Sequence, residues 1–219
     1  MIKLIVFDFD GTLADTREII LQTNQEVQRR MHYPVCDAET IMATVGLPLQ
    51  ECILTMYPDL PREKLPEWVK VYREVFDSLK GTIVPTLFPE VRETLAELCR
   101  QGRRCTVASS RGSVSLNDFL REMGIAPYIS YVLGAEDVTL AKPNPEPVLK
   151  TLRDMSVSAS ETLVVGDMPV DIMMGAGAKA LTCGVSYGNS DRAALQAAGA
   201  DFVIDDFSEL LSILDLHNN

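Results

Sequence analysis

The apolar run from Ile2 to Phe7, broken only by Lys3, stops at Asp8-Phe9-Asp10-Gly11-Thr12-Leu13. A short segment dominated by Ile, Leu, Val and Phe predicts a strand covered on both faces, and such strands belong to parallel sheets flanked by helices. Gly11 and Thr12 break the strand and leave Asp8 and Asp10 at its carboxyl end, the edge where open parallel sheets bind ligands. Two carboxylates one residue apart repel unless a cation lies between them or one keeps a proton, and hard oxygen ligands of this kind suit Mg²⁺. A carboxylate held in this way is also a nucleophile able to form an aspartyl-phosphate. The same residues can equally cap backbone donors in a strand-to-helix turn.

With 219 residues and 47% hydrophobic content, the chain can bury one large domain or a domain with a smaller insert. No apolar run approaches the roughly 20 residues that cross a bilayer, and no leader pattern precedes the Asp motif, so the expected location is cytoplasmic with no membrane partner. Cys36, Cys52, Cys99, Cys105 and Cys183 form no CxxC pair and are odd in number, which favours reduced thiols over a disulfide framework or a zinc site. A formal charge of −11 opposes nucleic acid and anionic membranes as general partners. An anionic substrate must therefore meet locally placed cations.

Residues from about Thr16 to Tyr33 carry Ile19, Ile20, Thr23, Val27 and Met31 at near-helical spacing. From Pro34 to Pro85 no strand pattern occurs, and helical stretches are expected over Asp37 to Thr44, Leu49 to Met56 and Glu63 to Leu79. From Leu87 onward helices alternate with short apolar strands at Arg103 to Ala108, Tyr128 to Leu133, Glu161 to Val165, Ala180 to Val185 and Asp201 to Ile204. This alternation predicts a doubly wound α/β core with a parallel sheet, formed by residues 1–15 and 85–219, with residues 16–84 as an inserted all-helical cap. The turn after Leu13 and the segment from Gly81 to Pro85 are the expected linkers.

Further chemistry-bearing residues fall where these strands end. Ser109-Ser110-Arg111-Gly112 can hold a phosphate through hydroxyls and backbone N–H groups, or simply cap the helix that begins near Val114. Lys142, between Ala141 and Pro143, suits an anion near an aspartate, although a lone Lys is commonly solvated. Gly166-Asp167-Met168-Pro169-Val170-Asp171 again puts carboxylates at a strand end; Asp167 is the candidate metal ligand, while Asp171 also fits a helix start. The run Gly175-Ala176-Gly177-Ala178 predicts close helix–sheet packing, not a dinucleotide fingerprint.

The series Asp8-x-Asp10-Gly11-Thr12, Ser109, Lys142-Pro143 and Gly166-Asp167-x-x-x-Asp171 resembles the haloacid dehalogenase superfamily of phosphohydrolases, and within it the phosphoglycolate phosphatase-like branch. The resemblance spans the chain and implies a Mg²⁺-dependent phosphatase acting on a small phosphorylated metabolite, as a monomer or homodimer. It implies Asp8 as nucleophile and metal ligand, and Asp10 as general acid and base with its backbone carbonyl on the metal. Asp167 is the remaining carboxylate ligand and Asp171 supports it from behind. Thr12 steadies the first loop and, with Ser109, Ser110, Arg111 and Lys142, lines the phosphate site; Arg17 is a further candidate substrate contact. Carbon–halogen cleavage is disfavoured because Asp10 is present. A β-phosphoglucomutase-type mutase shares these motifs, but that group carries Arg where this chain has Leu49 after Gly46-Leu47-Pro48. Inorganic pyrophosphatase and phosphonate-cleaving relatives also fit the core motifs, although none of the cap lysines Lys64, Lys70 and Lys80 is obviously placed for the Schiff base the latter need. A non-catalytic regulatory protein on the same fold is the alternative of a different class.

Overall fold

The structure is a computed structural model that describes residues 1–216, so the last three residues of the expected core lie outside it. The first strand, β1 (Leu4–Phe7), is followed by the short β2 (Ala14–Asp15). Four helices come next: α1 (Arg17–Arg30), α2 (Ala38–Met42), α3 (Leu49–Met56) and α4 (Leu65–Leu79). β3 (Thr86–Leu87) returns the chain to an alternating series. This runs α5 (Val91–Arg100), β4 (Arg104–Ala108), α6 (Ser113–Glu122), β5 (Ile129–Leu133), α7 (Glu146–Met155) and β6 (Thr162–Gly166). It closes with α8 (Pro169–Gly177), β7 (Leu181–Val185), α9 (Arg192–Ala197), β8 (Phe202–Ile204) and α10 (Glu209–Leu216).

The main sheet has the order β5-β4-β1-β6-β7-β8 and is parallel throughout, so the fold is the predicted α/β class. β1 lies at its centre, with Leu4 beside both Arg104 and Thr162. Its side chains alternate between two cores. Ile5 and Phe7 pack with Leu95, Val107, Val165 and Phe207, whereas Leu4 and Val6 pack with Val148, Val164 and Met174. Burial on both faces is why this strand reads as a continuous apolar run. From β1 the chain winds to one side through β4 and β5, then crosses back to β6 and winds to the other. The boundary between β1 and β6 is therefore the topological switch point, where a crevice opens beyond the strand ends.

Strand starts shift by about one residue from the predicted limits, because tight turns at Ala126–Tyr128 and Ala159–Glu161 take the residues just before β5 and β6. The first helix ends at Arg30, and that of the Asp37 stretch at Met42 after Asp37 caps it by accepting from the Thr40 N–H. Close packing at Gly175 is as expected: a Cβ there would meet Thr182 Cγ2 at 2.7 Å and Val164 Cβ at 2.9 Å.

α1–α4 carry their own apolar cluster, centred on Val27, Ile53, Leu65, Trp68 and Val75. The linkers differ from simple turns. β2 and β3 pair antiparallel, with Ala14 beside Leu87, and the Phe88 N–H donates to the Leu13 carbonyl at 3.1 Å. Chain entering and leaving the helical insert runs side by side, so the two segments satisfy each other's backbone groups. Among the described residues no helix is long and apolar enough to cross a membrane.

Candidate active site

Four loops at the carboxyl ends of β1, β4, β6 and β7, together with the segment before α7, converge on the switch point. The first loop turns sharply at Gly11 (φ +91°), where the Leu13 and Ala14 N–H groups both donate to the Phe9 carbonyl. Phe9 is buried against Phe119, with ring centroids 6.0 Å apart. This anchors the residue between the two aspartates. Asp8 is itself buried, and its N–H continues the sheet pattern by donating to the Val165 carbonyl at 2.9 Å.

Lys142 is no surface cation. It is 3% exposed, and its Nζ donates to Asp8 Oδ1 and, at 2.7 Å, to Asp171 Oδ1. Asp171 in turn accepts from the Met168 N–H at 3.1 Å, which fixes the start of α8. Asp167 is fully buried; its Oδ1 accepts from the Thr12 hydroxyl at 3.2 Å. Its Oδ2 accepts from the backbone N–H and side-chain amide of Asn189 at 2.7 and 2.8 Å. Ligand oxygens of Asp8, Asp167 and Asp171 lie within 4.8 Å of one another.

Three carboxylates around one ammonium leave the cluster short of positive charge. Burial, only partly offset by Lys142 and reinforced by Asp171 and Asp167, holds the Asp8 carboxyl well above its ordinary range. Burial and the neighbouring Asp171 push Asp167 up to about 7, against the two Asn189 donors and Lys142. Burial alone would lower Lys142, but Asp171 and Asp8 outweigh it and raise its pKa, so it stays charged. Asp8 and Asp167 are both shifted toward the protonated form, because Lys142 offsets only part of the cost of burying their charge. The buried Oδ1 of Asn189 has no donor within reach. An all-oxygen set with excess negative charge and an unsatisfied acceptor fits a hard divalent cation held by Asp8 and Asp167.

Asp10 is placed differently. Its carboxylate accepts a two-pronged contact from Arg111, Nε to Oδ2 at 3.0 Å and an Nη to Oδ1 at 2.5 Å. Arg111 was expected on substrate and is here on the neighbouring aspartate, since the β4 loop folds back on the first loop. Ser109 accepts from the Arg111 N–H at 3.1 Å and so shapes that loop. The Ser110 hydroxyl, also expected on phosphate, donates instead to the Gly46 carbonyl of the helical insert at 2.6 Å. Arg17 is occupied as well, paired with Asp15 beside the β2–β3 ribbon.

Three contributors escape the sequence reading: Tyr187, Gly188 and Asn189, just past β7. Tyr187 donates to the Thr12 carbonyl at 2.8 Å. A Cβ on Gly188 would stand 2.4 Å from Asp167 Cβ and 2.5 Å from the Gly11 carbonyl, so only glycine lets the loops close. The available signal was a Gly-Asn pair separated by two residues from the end of an apolar strand, at the same edge that carries the aspartates.

A cavity of about 40 Å³ beside Ser109 and Lys142 is roofed by Pro48 of the insert. The larger groove, about 450 Å³, runs along β3 between Val84 and Met123, and none of Asp8, Asp10, Asp167 and Asp171 lines it.

Comparison with known proteins agrees with this geometry. The profile of the haloacid dehalogenase-like hydrolase family matches residues 5–185. The chain is 33% identical over 224 residues to a phosphoglycolate phosphatase of Vibrio parahaemolyticus, covering 97% of this chain and 96% of that one. It is 30% identical over 212 residues to pyrophosphatase PpaX of Bacillus velezensis, covering 97% and 96%. A crystal structure of a hydrolase from Pseudomonas syringae shares the fold with a TM-score of 0.87 at 22% identity, over 99% of each chain. With the family profile matching most of its length and relatives at 30% identity or more covering nearly all of it, the chain belongs to the haloacid dehalogenase-like hydrolase family.

Proposed function

We propose that this hydrolase is a Mg²⁺-dependent phosphatase that cleaves a small phosphomonoester through an aspartyl-phosphate on Asp8. The observation that carries the reading is the buried Lys142 shared by Asp8 and Asp171, beside a third buried carboxylate. Such a site has one placed cation for three anions, and admitting an anionic phosphate needs another. Asp8, Asp167 and the Asp10 backbone carbonyl hold the metal in this reading. Bound Mg²⁺ supplies positive charge against which an anionic nucleophile and an anionic phosphate can approach.

The chain's own residues do the rest. Lys142 orients Asp8 and offsets part of the cost of its buried charge, and with Ser109 binds phosphate oxygens. A carboxylate oxygen of Asp8 attacks phosphorus; the ester P–O bond breaks, and its electron pair stays on the leaving oxygen, which takes a proton from Asp10. Water then attacks the phosphorus of the aspartyl-phosphate and gives its proton to Asp10. The P–O bond to Asp8 breaks, phosphate leaves and both aspartates return to their starting states. Asp171 holds Lys142 in place, and Thr12 with Asn189 does the same for Asp167.

Residues 16–84 act as a cap over a core of 1–15 and 85–219. A cavity of about 40 Å³ admits a few waters and no phosphomonoester, so substrate enters by displacement of the insert. The substrate is a small phosphorylated metabolite of the phosphoglycolate type. Pyrophosphate is the second reading, favoured by the likeness to pyrophosphatase PpaX. A sugar-phosphate mutase is disfavoured: Leu49 stands where that group has Arg, and it packs on the insert's apolar cluster.

Turnover of para-nitrophenyl phosphate with and without Mg²⁺ tests the reading. Chelated protein is expected to lose at least about a hundredfold in rate and to regain it on addition of Mg²⁺. Full activity after exhaustive chelation would contradict it.

A further inference from the structure

Among the described residues, Arg111 is the cation paired with Asp10, the acid of the phosphatase reading. Its side chain is 10% exposed and that of Asp10 12% exposed, so the pair is almost removed from water. The guanidinium carbon lies 5.2 Å from the Phe76 ring centroid on α4 of the insert and 5.0 Å from that of Phe119 on α6 of the core. Its third edge donates to the Ser115 hydroxyl at 3.1 Å. Burial works against the charge, but Asp10 outweighs it and raises the pKa of Arg111. The group is therefore a fixed cation sandwiched between an insert ring and a core ring.

This arrangement restricts what Asp10 can do. Both of its carboxylate oxygens accept from Arg111, so the carboxylate is oriented on the guanidinium and not on a leaving oxygen while that contact persists. If Asp10 simply swings away, a buried guanidinium loses its counter-charge, which is strongly unfavourable. A leaving group that carries its own anion removes the difficulty, because planar two-pronged recognition of a carboxylate or phosphate is what a guanidinium does well. We infer that Arg111 is a specificity-determining residue that exchanges Asp10 for an anion on the leaving group; the released Asp10 carboxylate takes a proton from water and passes it to the leaving oxygen. The inference rests on the phosphatase reading above and deepens it. It covers both a phosphorylated hydroxy acid, whose anion is a carboxylate, and pyrophosphate, whose anion is the second phosphate.

The test uses the full chain with Mg²⁺. Phosphoglycolate is compared with 2-hydroxyethyl phosphate, which replaces the carboxylate by a neutral hydroxymethyl group, for wild type, Arg111→Met and Arg111→Lys. Wild type is expected to favour phosphoglycolate at least about thirtyfold in kcat/KM, with part of the gain in kcat because Asp10 is freed. In Arg111→Met the preference should fall to within about threefold, and Arg111→Lys, a cation without the fork, should lie between. A thermal melt and circular dichroism show that each variant is folded. A second arm sets pyrophosphate against para-nitrophenyl phosphate, and the anion whose advantage collapses at least tenfold in Arg111→Met is the one Arg111 receives. Wild type with no preference in either arm overturns the inference while leaving the phosphatase reading intact, as does an undiminished preference in folded Arg111→Met. Should Arg111→Met fail to fold, the wild-type ratio and Arg111→Lys decide. Hydrolysis of none of these compounds overturns both readings.

Discussion

At the scale of single residues, the site is governed by charge that the fold concentrates and only partly balances. Asp167 shows this most simply, since burial and Asp171 raise its pKa from 3.8 to about 7. Between those values the metal-free native state holds a proton that the unfolded chain has lost, so stability falls as pH rises through that window. The shift corresponds to a penalty on the order of 4 kcal/mol for the ionised carboxylate, complete above about pH 7. Asp8 shifts in the same direction. Chelated protein is thus expected to melt at a lower temperature at high pH than at mildly acidic pH, Mg²⁺ to restore it at high pH, and Asp167→Asn to flatten the slope. Equal slopes for wild type and variant in melts across the range would contradict this origin. The aspartates and Lys142 were legible because each follows an apolar run or stands near a proline. The partnership of Asp10 with Arg111 was not, because 101 residues separate them and only the β1–β4 pairing brings their loops together.

Among the elements, the helical insert and its two connections are what the proposed reading makes responsible for access. A stretch of 52 residues from Pro34 to Pro85 without a strand pattern is enough to expect helices there. The β2–β3 ribbon was invisible, as two-residue strands carry no periodicity to detect. The insert meets the core through the turn between α2 and α3. Gly46 there has φ +96°, accepts from Ser110, and would place a Cβ 3.2 Å from Val170 Cγ2. Gly46→Val should strain this turn by about 1–2 kcal/mol, and the strain falls on the seated arrangement of the insert. About a tenfold loss in kcat/KM with little change in melting temperature is expected. Unchanged kcat/KM would mean that this contact has no part in closure.

For the molecule as a whole, alternation of apolar runs with helices was sufficient for a parallel sheet, whereas the order β5-β4-β1-β6-β7-β8 was not written in any segment. That order follows from packing right-handed crossovers on both faces of a central β1, which places the switch point between β1 and β6 and so joins Asp8 to Asp167. The loop after β7 was missed for a related reason: its role comes from which strand neighbours β6, a tertiary fact. Everything proposed for this enzyme depends on Asp8 as the group that accepts the phosphoryl group. Removing its charge leaves Lys142 paired with Asp171 and relieves a crowded set of carboxylates, so the fold should not suffer. The direct test is Mg²⁺-supported turnover by Asp8→Asn. A loss of at least about ten-thousandfold, more than 5 kcal/mol in the barrier, with a melting temperature at or above wild type, is the expected result. Turnover near the wild-type rate by that folded variant would contradict covalent catalysis at Asp8.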